Sequence, residues 1–455
     1  MTELAIVVLA AGAGTRMKSA RPKVLHGLAG KPMLMHVLDN ARQLKPKRLI
    51  VVIAPGQDDV AALAAPAIVA IQAQPRGTGH AVKAARQALK GFTGDVVVIY
   101  GDTPLLRAAT IRRLVNRRRS ARAAVAVLGF RPQDPTPYGR FIVAGPGKLD
   151  GIVETRDASA AQRRIGLCNS GVMAIQGAAL FGLLDRIGNR NAKREYYLTD
   201  LVGAARSAGK ICAYIEGDAG ELQGINSRAE LAMVEAALQQ QLRSRALEQG
   251  VTMLDPNSVF LSHDTKFGRD VSLGPSLYFG PGVRVADNVS ILGYCHIEGA
   301  RIGRGARIGP FARIRAASTV GAQAHIGNFV ELKNTVMDEG AKANHLAYLG
   351  DATIGTAANI GAGFVAVNYD GFGKYRTQVG AGAFIGSNAS LVAPVRIGAG
   401  AIVGAGSVIV RDVPAQAVAL GRADQQLRFG AAPRLRARKQ AQAAAAKAAA
   451  KRAAK

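Results

Sequence analysis

The sequence predicts a two-part α/β chain: a mainly parallel, Rossmann-like sheet covered by helices in front, and a parallel β-helix behind. Three observations predict it. Continuous apolar runs alternate with helical patterns through the first half, apolar residues return every sixth position from about 273 to 410, and residues 227–249 read as one long helix between them.

The front half begins with LAIVVL at 4–9, and further runs follow at 48–53, 95–100 and 123–128. Such runs suit strands buried on both faces. Helical patterns lie between them, near 32–44, 79–89 and 107–118. In the connector, Ser227 and Glu230 have capping-box spacing, Leu231, Val234, Leu238 and Leu242 recur at helical spacing, and Gly250 is a suitable stop. A helix of that length spans roughly 35 Å. It is expected to be a rigid spacer with the domain boundary inside it.

In the rear half Leu273, Phe279, Val285, Ile291 and Ile297 keep the six-residue step. After a one-residue slip it resumes at Ile302, Ile308, Ile314, Val320, Ile326 and Leu332, and again at Ile385, Leu391, Ile397, Val403 and Ile409. That period is neither helical nor alternating. It fits short strand, tight turn and repeat, with three units closing a triangular coil and coils stacked about 4.8 Å apart. Two interruptions, at about 333–348 and 362–378, hold the unusual residues Lys333, Asn344, His345, Tyr348, Asn368, Tyr369, Asp370 and Lys374. Loops on a rigid scaffold are where chemistry tends to lie. His345 is the candidate base, because imidazole titrates near neutrality, against the plainer reading of a polar surface residue.

A chain of 455 residues has room for two or three domains. Its 59 Lys and Arg against 31 Asp and Glu give a net charge of +28, which favours anionic partners. Aromatic residues are not interleaved with the basic clusters, so small phosphorylated ligands fit better than nucleic acid, and no stable membrane partner is expected. The longest apolar runs are far short of a membrane span, no basic region precedes an apolar stretch at the start, and Cys168, Cys212 and Cys295 lie far apart. A cytosolic protein with reduced thiols is expected. The tail, 431–455, is rich in Ala, Lys and Arg without an acid. It reads as a frayed helix or disorder, either a solvated end or a weak attractor of anionic membrane or nucleic acid.

Three front stretches carry chemistry. LAAGAGTRM at 9–17 follows the first strand, with Gly12 and Gly14 able to bring backbone amides to a phosphate and Arg16 and Lys23 beside them. Met17 stands where a dinucleotide fingerprint needs Gly, and the P-loop ending is absent. A nucleotide loop of another type and a plain strand-to-helix turn both remain open. QAQPRGTGHA at 72–81 is a second Gly-rich turn, and VVVIYGDTPL at 96–105 places Asp102 just past a buried strand. A carboxylate there suits Mg²⁺, which takes one or two protein oxygens, or serves as a turn or cap residue.

Together with YGR at 138–140, IVE at 152–154, CNSGV at 168–172, EYYLTD at 195–200 and GIN at 224–226, these stretches resemble the sugar-nucleotide pyrophosphorylases. With the hexapeptide β-helix behind them, residues 4 to 430 resemble the bacterial bifunctional N-acetylglucosamine-1-phosphate uridyltransferase/glucosamine-1-phosphate N-acetyltransferase family. The resemblance implies a pyrophosphorylase domain over 1–226, a linker over 227–249 and a left-handed β-helix acetyltransferase domain over 250–430. It implies that Leu9, Ala10, Ala11 and Gly12 contact the uridine nucleotide, Arg16 and Lys23 its phosphates, and Gln72, Gly77 and Thr78 the uracil. Tyr100, Gly101 and Asp102 would lie at the reacting phosphates, Gly139, Glu154 and Asn169 at the sugar, and Asp102 with Asn226 at Mg²⁺. One departure is Ala13, where relatives often carry a longer residue.

In the rear half the resemblance makes His345, within AxHLxYLGD at 343–351, the base that deprotonates the amine of glucosamine-1-phosphate. Arg315, Lys333, Tyr348 and Asn359 would bind that sugar phosphate. Asn368, Tyr369, Lys374, Ser387, Ala405 and Arg422 would hold acetyl-CoA. Ala366 and Val367 stand where relatives sometimes carry a Cys before the NYDG motif, so direct attack by the amine is expected rather than an acetyl-thiol intermediate. The implied product is UDP-N-acetylglucosamine, made from acetyl-CoA, UTP and the two sugar phosphates as a precursor of peptidoglycan and lipopolysaccharide, by a homotrimer with acetyl-transfer sites between subunits. Two other readings are a nucleotidyltransferase with a merely regulatory β-helix and a basic trimeric scaffold for nucleic acid.

Overall fold

A computed structural model describes residues 3–12 and 14–453, the last three of them by backbone alone. Ala13 therefore lies outside the described residues. The chain divides into two compact units, Met1–Gly305 and Ala306–Lys455.

The first unit is built on a nine-stranded sheet. Its strands are β1 (Leu4–Leu9), β2 (Arg48–Ile53), β3 (Ile68–Ile71), β4 (Asp95–Tyr100), β5 (Val125–Phe130), β6 (Arg140–Gly145), β7 (Lys148–Val153), β8 (Cys168–Gln176) and β9 (Cys212–Glu216). Their order is β3-β2-β1-β4-β8-β5-β9-β7-β6. Strands β1 to β4 pair in parallel, as does β5 with β9, while β8 runs antiparallel between β4 and β5. Along β1, Ala5 and Val7 pack into one core and Ile6 and Val8 into another, which is why these strands read as unbroken apolar runs. The fourth expected run begins two residues later than its sequence suggested, at Val125. Ligand chemistry in such sheets gathers beyond the carboxyl ends of the parallel strands, where Leu9 and Tyr100 stand side by side.

The connector is a helix over Arg228–Glu248, started by the expected capping box: the Glu230 amide donates to Ser227 Oγ at 3.2 Å, and the Ser227 amide donates to the Glu230 carboxylate at 2.8 Å. It is more than a spacer. Val234 and Gln239 are buried, and Gln239 exchanges two hydrogen bonds with the backbone of Leu261, at 2.7 and 2.8 Å. Glu235 accepts from the Ala29 amide at 2.8 Å, and the Ala29 carbonyl accepts from the His263 amide at 2.9 Å. A polar side chain placed mid-helix thus satisfies backbone groups of the first β-helix coil.

In both units the repeat forms short parallel strands on three faces. In the first unit Thr252, Ser272 and Ser290 pair on one face, Phe260, Tyr278 and His296 on the second, and Lys266, Arg284 and Arg301 on the third. The one-residue slip appears as Val285 pairing with Ile302, seventeen residues on, where Leu273 pairs with Ile291, eighteen on. All the expected inward aliphatics and Phe279 are buried, from Leu273 to Ile409.

Of three expectations for the rear half, one changes. The first interruption is no excursion, because strands continue through it at Glu331–Lys333, Val336–Met337, Lys342–His345 and Tyr348–Gly350. Its coils are only one residue shorter, with Ile326 paired to Ala343 and Leu332 to Leu349, so the sixth-residue test loses phase while the fold does not. The second is a true excursion: the chain leaves after Val367, makes an isolated bridge between Tyr369 and Lys374, and rejoins at Thr377. The tail is helical over Ala431–Ala453. Alanine is the strongest helix former, which explains regular structure without an apolar stripe to dock it.

Candidate active sites

The front site is a cleft at the ends of β1 and β4. Leu9, Ala10, Ala11, Gly12, Lys23, Gln72, Gly77, Thr78, Tyr100 and Asp102 all line it, together with Glu195. Gly14 has φ +61°, and a Cβ there would come within 2.7 Å of the Lys23 Cβ, so the glycine lets Lys23 cross the loop. At Gly77, φ +102°, a Cβ would strike the Tyr196 carbonyl at 2.6 Å. Gln72 donates to the Gly77 carbonyl at 3.2 Å, which braces the second turn from within.

On the cleft floor the Lys23 ammonium forms an ion pair with Asp102 and donates to Asn226 Oδ1 at 3.2 Å. The Ile225 amide donates to the Asp102 carbonyl at 2.9 Å, which brings the GIN stretch under the strand end. Two oxygen donors therefore converge on a point that a cation already holds. That donor set fits Mg²⁺, which binds through one or two protein oxygens and keeps waters, and no group of three or more acidic, His or Cys side chains is poised for a metal among the described residues. Burial, with help from Asp102, raises the pKa of Tyr100 and keeps it a neutral phenol.

Arg16 does not join Lys23. It lines a neighbouring hollow with Glu154, Thr155, Lys193 and Tyr197. Gly139, Glu154 and Asn169 come together: the Asn169 amide donates to the Gly139 carbonyl at 2.8 Å, and a Cβ on Gly139 would lie 3.5 Å from the Glu154 carboxylate. Burial raises the pKa of Glu154 despite the Thr199 hydroxyl donating to it at 3.1 Å. Burial also pushes Asp200 up to about 6, with Glu154 and Asp157 adding to it. Thr199 and Asp200 went unassigned in the sequence, although the EYYLTD stretch that holds them stood out.

The rear site lies on the second unit and follows its register. His345 sits two residues past the inward Ala343, at a corner of the coil, directly above Asn328. His345 Nδ1 lies 2.6 Å from Asn328 Oδ1, an oxygen that only accepts, an arrangement that suits the tautomer with its proton on Nδ1 and its lone pair on Nε2. Ser387 and Ala405 occupy the same corner on later coils, and Arg422 Nη1 donates to the Ala405 carbonyl at 2.8 Å. Asn359 pairs with Lys342 on the adjoining face.

On the next face Arg315 donates to Glu331 at 3.0 Å, and Tyr348 pairs in register with Glu331. Lys333 donates to Asp351 Oδ2 at 3.2 Å, Asn334 to Asp351 Oδ1 at 2.8 Å, and Asn368 to the same carboxylate. Burial opposes the Lys333 charge, but Asp351 raises its pKa, while the Asn and Lys donors hold the Asp351 carboxyl low against its own burial. Tyr369 and Lys374 face each other across the excursion. Ala366 points into the coil and is buried. Asn328 and Asp351 were missed, and the coil length would have found them: each stands one coil from a residue that was singled out.

The fold and the two sites define a class, a nucleotidyltransferase joined to a hexapeptide-repeat transferase. A MobA-like NTP transferase domain matches residues 6–165, and the bacterial transferase hexapeptide family, of six repeats, matches residues 376–411. The chain is 57% identical over 438 residues to the bifunctional protein GlmU of Rhodospirillum rubrum, covering 96% of this chain and 98% of that one. It is 53% identical over 444 residues to that of Paramagnetospirillum magneticum, covering 97% and 99%. With that of Rhizorhabdus wittichii it shares 58% over 435 residues, covering 95% and 96%. The chain belongs to the family of bifunctional GlmU transferases. Among the described residues no helix is long and apolar enough to cross a membrane.

Proposed function

We propose that this chain transfers acetyl from acetyl-CoA to glucosamine-1-phosphate, then uridylyl from UTP to the N-acetylglucosamine-1-phosphate so formed, releasing pyrophosphate. Residues 1–226 would carry the second reaction and 250–430 the first, with 227–249 as the link and 431–455 outside both. The pairing of two complementary sites on one chain supports the reading: an imidazole suited to activate a nucleophile on the β-helix, and a cleft at the sheet's strand ends with one lysine among oxygen donors.

In the rear site His345 Nε2 takes a proton from the substrate ammonium, and the free amine attacks the thioester carbonyl. The tetrahedral oxyanion collapses as its nitrogen gives up a second proton, CoA thiolate leaves and takes up that proton, and His345 releases the first one to solvent. Arg315 and Lys333 hold the sugar phosphate, while Lys374 and Arg422 suit the anionic groups of CoA. In the front site an oxygen of the sugar phosphate attacks the α-phosphorus of UTP. Gln72, Gly77 and Thr78 orient the base, Lys23 meets the phosphates, and Gly139, Glu154 and Asn169 hold the acceptor sugar. Bound Mg²⁺, held by Asp102 and Asn226, would offset charge on the phosphates, so positioning and electrostatics supply most of the rate. A homotrimer with acetyl-transfer sites between subunits and a cytoplasmic location complete the proposal.

An assay with glucosamine-1-phosphate, acetyl-CoA, UTP and Mg²⁺, each omitted in turn, tests it. Omitting acetyl-CoA should leave no UDP-N-acetylglucosamine, and omitting UTP should leave N-acetylglucosamine-1-phosphate as the end product. Acetyl transfer that ignores acetyl-CoA, or UDP-sugar formed without pyrophosphate, would overturn it.

A further inference from the structure

Asp351 belongs to no substrate-contacting set proposed above, yet three side chains converge on it. Its carboxylate is almost buried. Oδ1 accepts from Asn334 at 2.8 Å, and Oδ2 accepts from Lys333 at 3.2 Å and from Asn368. The three asparagine and aspartate positions stack one coil apart along a single corner, and the Thr377 amide donates to the Asp351 carbonyl at 3.1 Å where the excursion rejoins the coil. One of the donors is assigned to the sugar phosphate and another to acetyl-CoA. We propose that Asp351 is a positioning residue that ties the two acetyl-transfer subsites to one carboxylate, fixing Lys333 for the sugar phosphate and Asn368, with the excursion it begins, for acetyl-CoA. This rests on the acetyl-transfer reading above.

The chemistry is specific to a carboxylate. Only an acceptor with two oxygens can serve three donors arriving from two sides. Lysine loses much rotamer freedom when it binds a phosphate, and an ion pair that holds it beforehand removes that cost from the binding step. Removing the Asp351 charge would strengthen the bare pull of Lys333 on phosphate. It would also free the chain end and leave Asn368 without its acceptor, and the second effect wins because both partners lose a charged hydrogen bond.

The test uses the full chain, with uridylyl transfer and melting midpoint as controls. Asp351→Asn keeps the shape but turns an N–H toward one set of donors. The expected result is a roughly tenfold rise in KM for both glucosamine-1-phosphate and acetyl-CoA, with kcat changed much less. Asn334→Gly removes the one donor that serves neither substrate, at a position (φ +49°) glycine tolerates, and should leave both KM values within about twofold. If Asp351→Asn lowers the melting midpoint, the intact carboxylate decides instead. Lys333→Met should then also raise the KM for acetyl-CoA, and Asn368→Ala that for the sugar phosphate, each by at least about twofold. A rise in only one KM, or no cross-effects, overturns the proposal while the acetyl-transfer reading stands. If Lys333→Met and Asn368→Ala both leave acetyl transfer unchanged, the substrate assignment itself fails, and Asp351 with it.

Discussion

The two sites bring residues together by different rules. On the front cleft floor Lys23, Asp102 and Asn226 meet from three distant parts of the chain, because sheet topology places strand ends and a helix-capping loop side by side. On the β-helix each meeting pair stands one coil apart: Asn328 with His345, Asn334 with Asp351, Asp351 with Asn368. A topological site depends on many long connections at once. A register site depends on the length of one repeat. The front should therefore tolerate local insertions in its loops, whereas a residue added within the strand Lys342–His345 would shift His345 off its partner Asn328.

The largest expected effect breaks the comparison into its halves. His345→Ala should lower acetyl transfer by roughly 10²-fold or more and leave uridylyl transfer intact, and Asp102→Asn should do the reverse by a similar factor. Separate assays of the two half-reactions on each variant check this, and loss of both activities in either variant would refute independent sites. Next, Lys23→Met should bind Mn²⁺ in the UTP-free enzyme roughly tenfold more tightly, since the ammonium that competes for Asp102 and Asn226 is gone, while UTP binding weakens. Spin-resonance titration reads the metal directly, and unchanged affinity would show that Lys23 does not occupy the cation's place.

A smaller effect sharpens the rear half. Asn328→Leu should reduce kcat for acetyl transfer roughly tenfold with little change in either KM, because the imidazole loses the acceptor that sets its tautomer. The least concerns stability alone. Asp200 is raised to about 6, so the folded chain holds that proton more tightly than the unfolded one. Its stabilising contribution is full below the ordinary carboxyl range near 4 and is lost as pH rises through about 6. In Asp200→Asn the fall in denaturant midpoint across that window should shrink, and an unchanged slope would place the titration elsewhere.

What could be read from the sequence follows the same division. The aliphatic register from Leu273 to Ile409 is local and periodic, so even the slip before Ile302 was visible. The capping box at Ser227 is local too. The partners of Gln239 were not visible, because nothing in a helical repeat says that one polar residue will meet the backbone of Leu261. The separation of Arg16 from Lys23 depends on how a short turn folds over Gly14, and proximity in sequence misleads there. Around His345 a fixed six-residue test lost phase in shorter coils and made continuous strands look like a loop. Counting by coil would have kept them and exposed Asn328 and Asp351.

The closed set of bonds among Ala29, Glu235, Gln239, Leu261 and His263 bears on how the chain can be divided. A fragment stopping at 226 or 249 would strip partners from this set and leave main-chain groups wet or unmatched. One stopping near 305 would keep them. Whoever wants the uridylyl half alone should carry the first coils along.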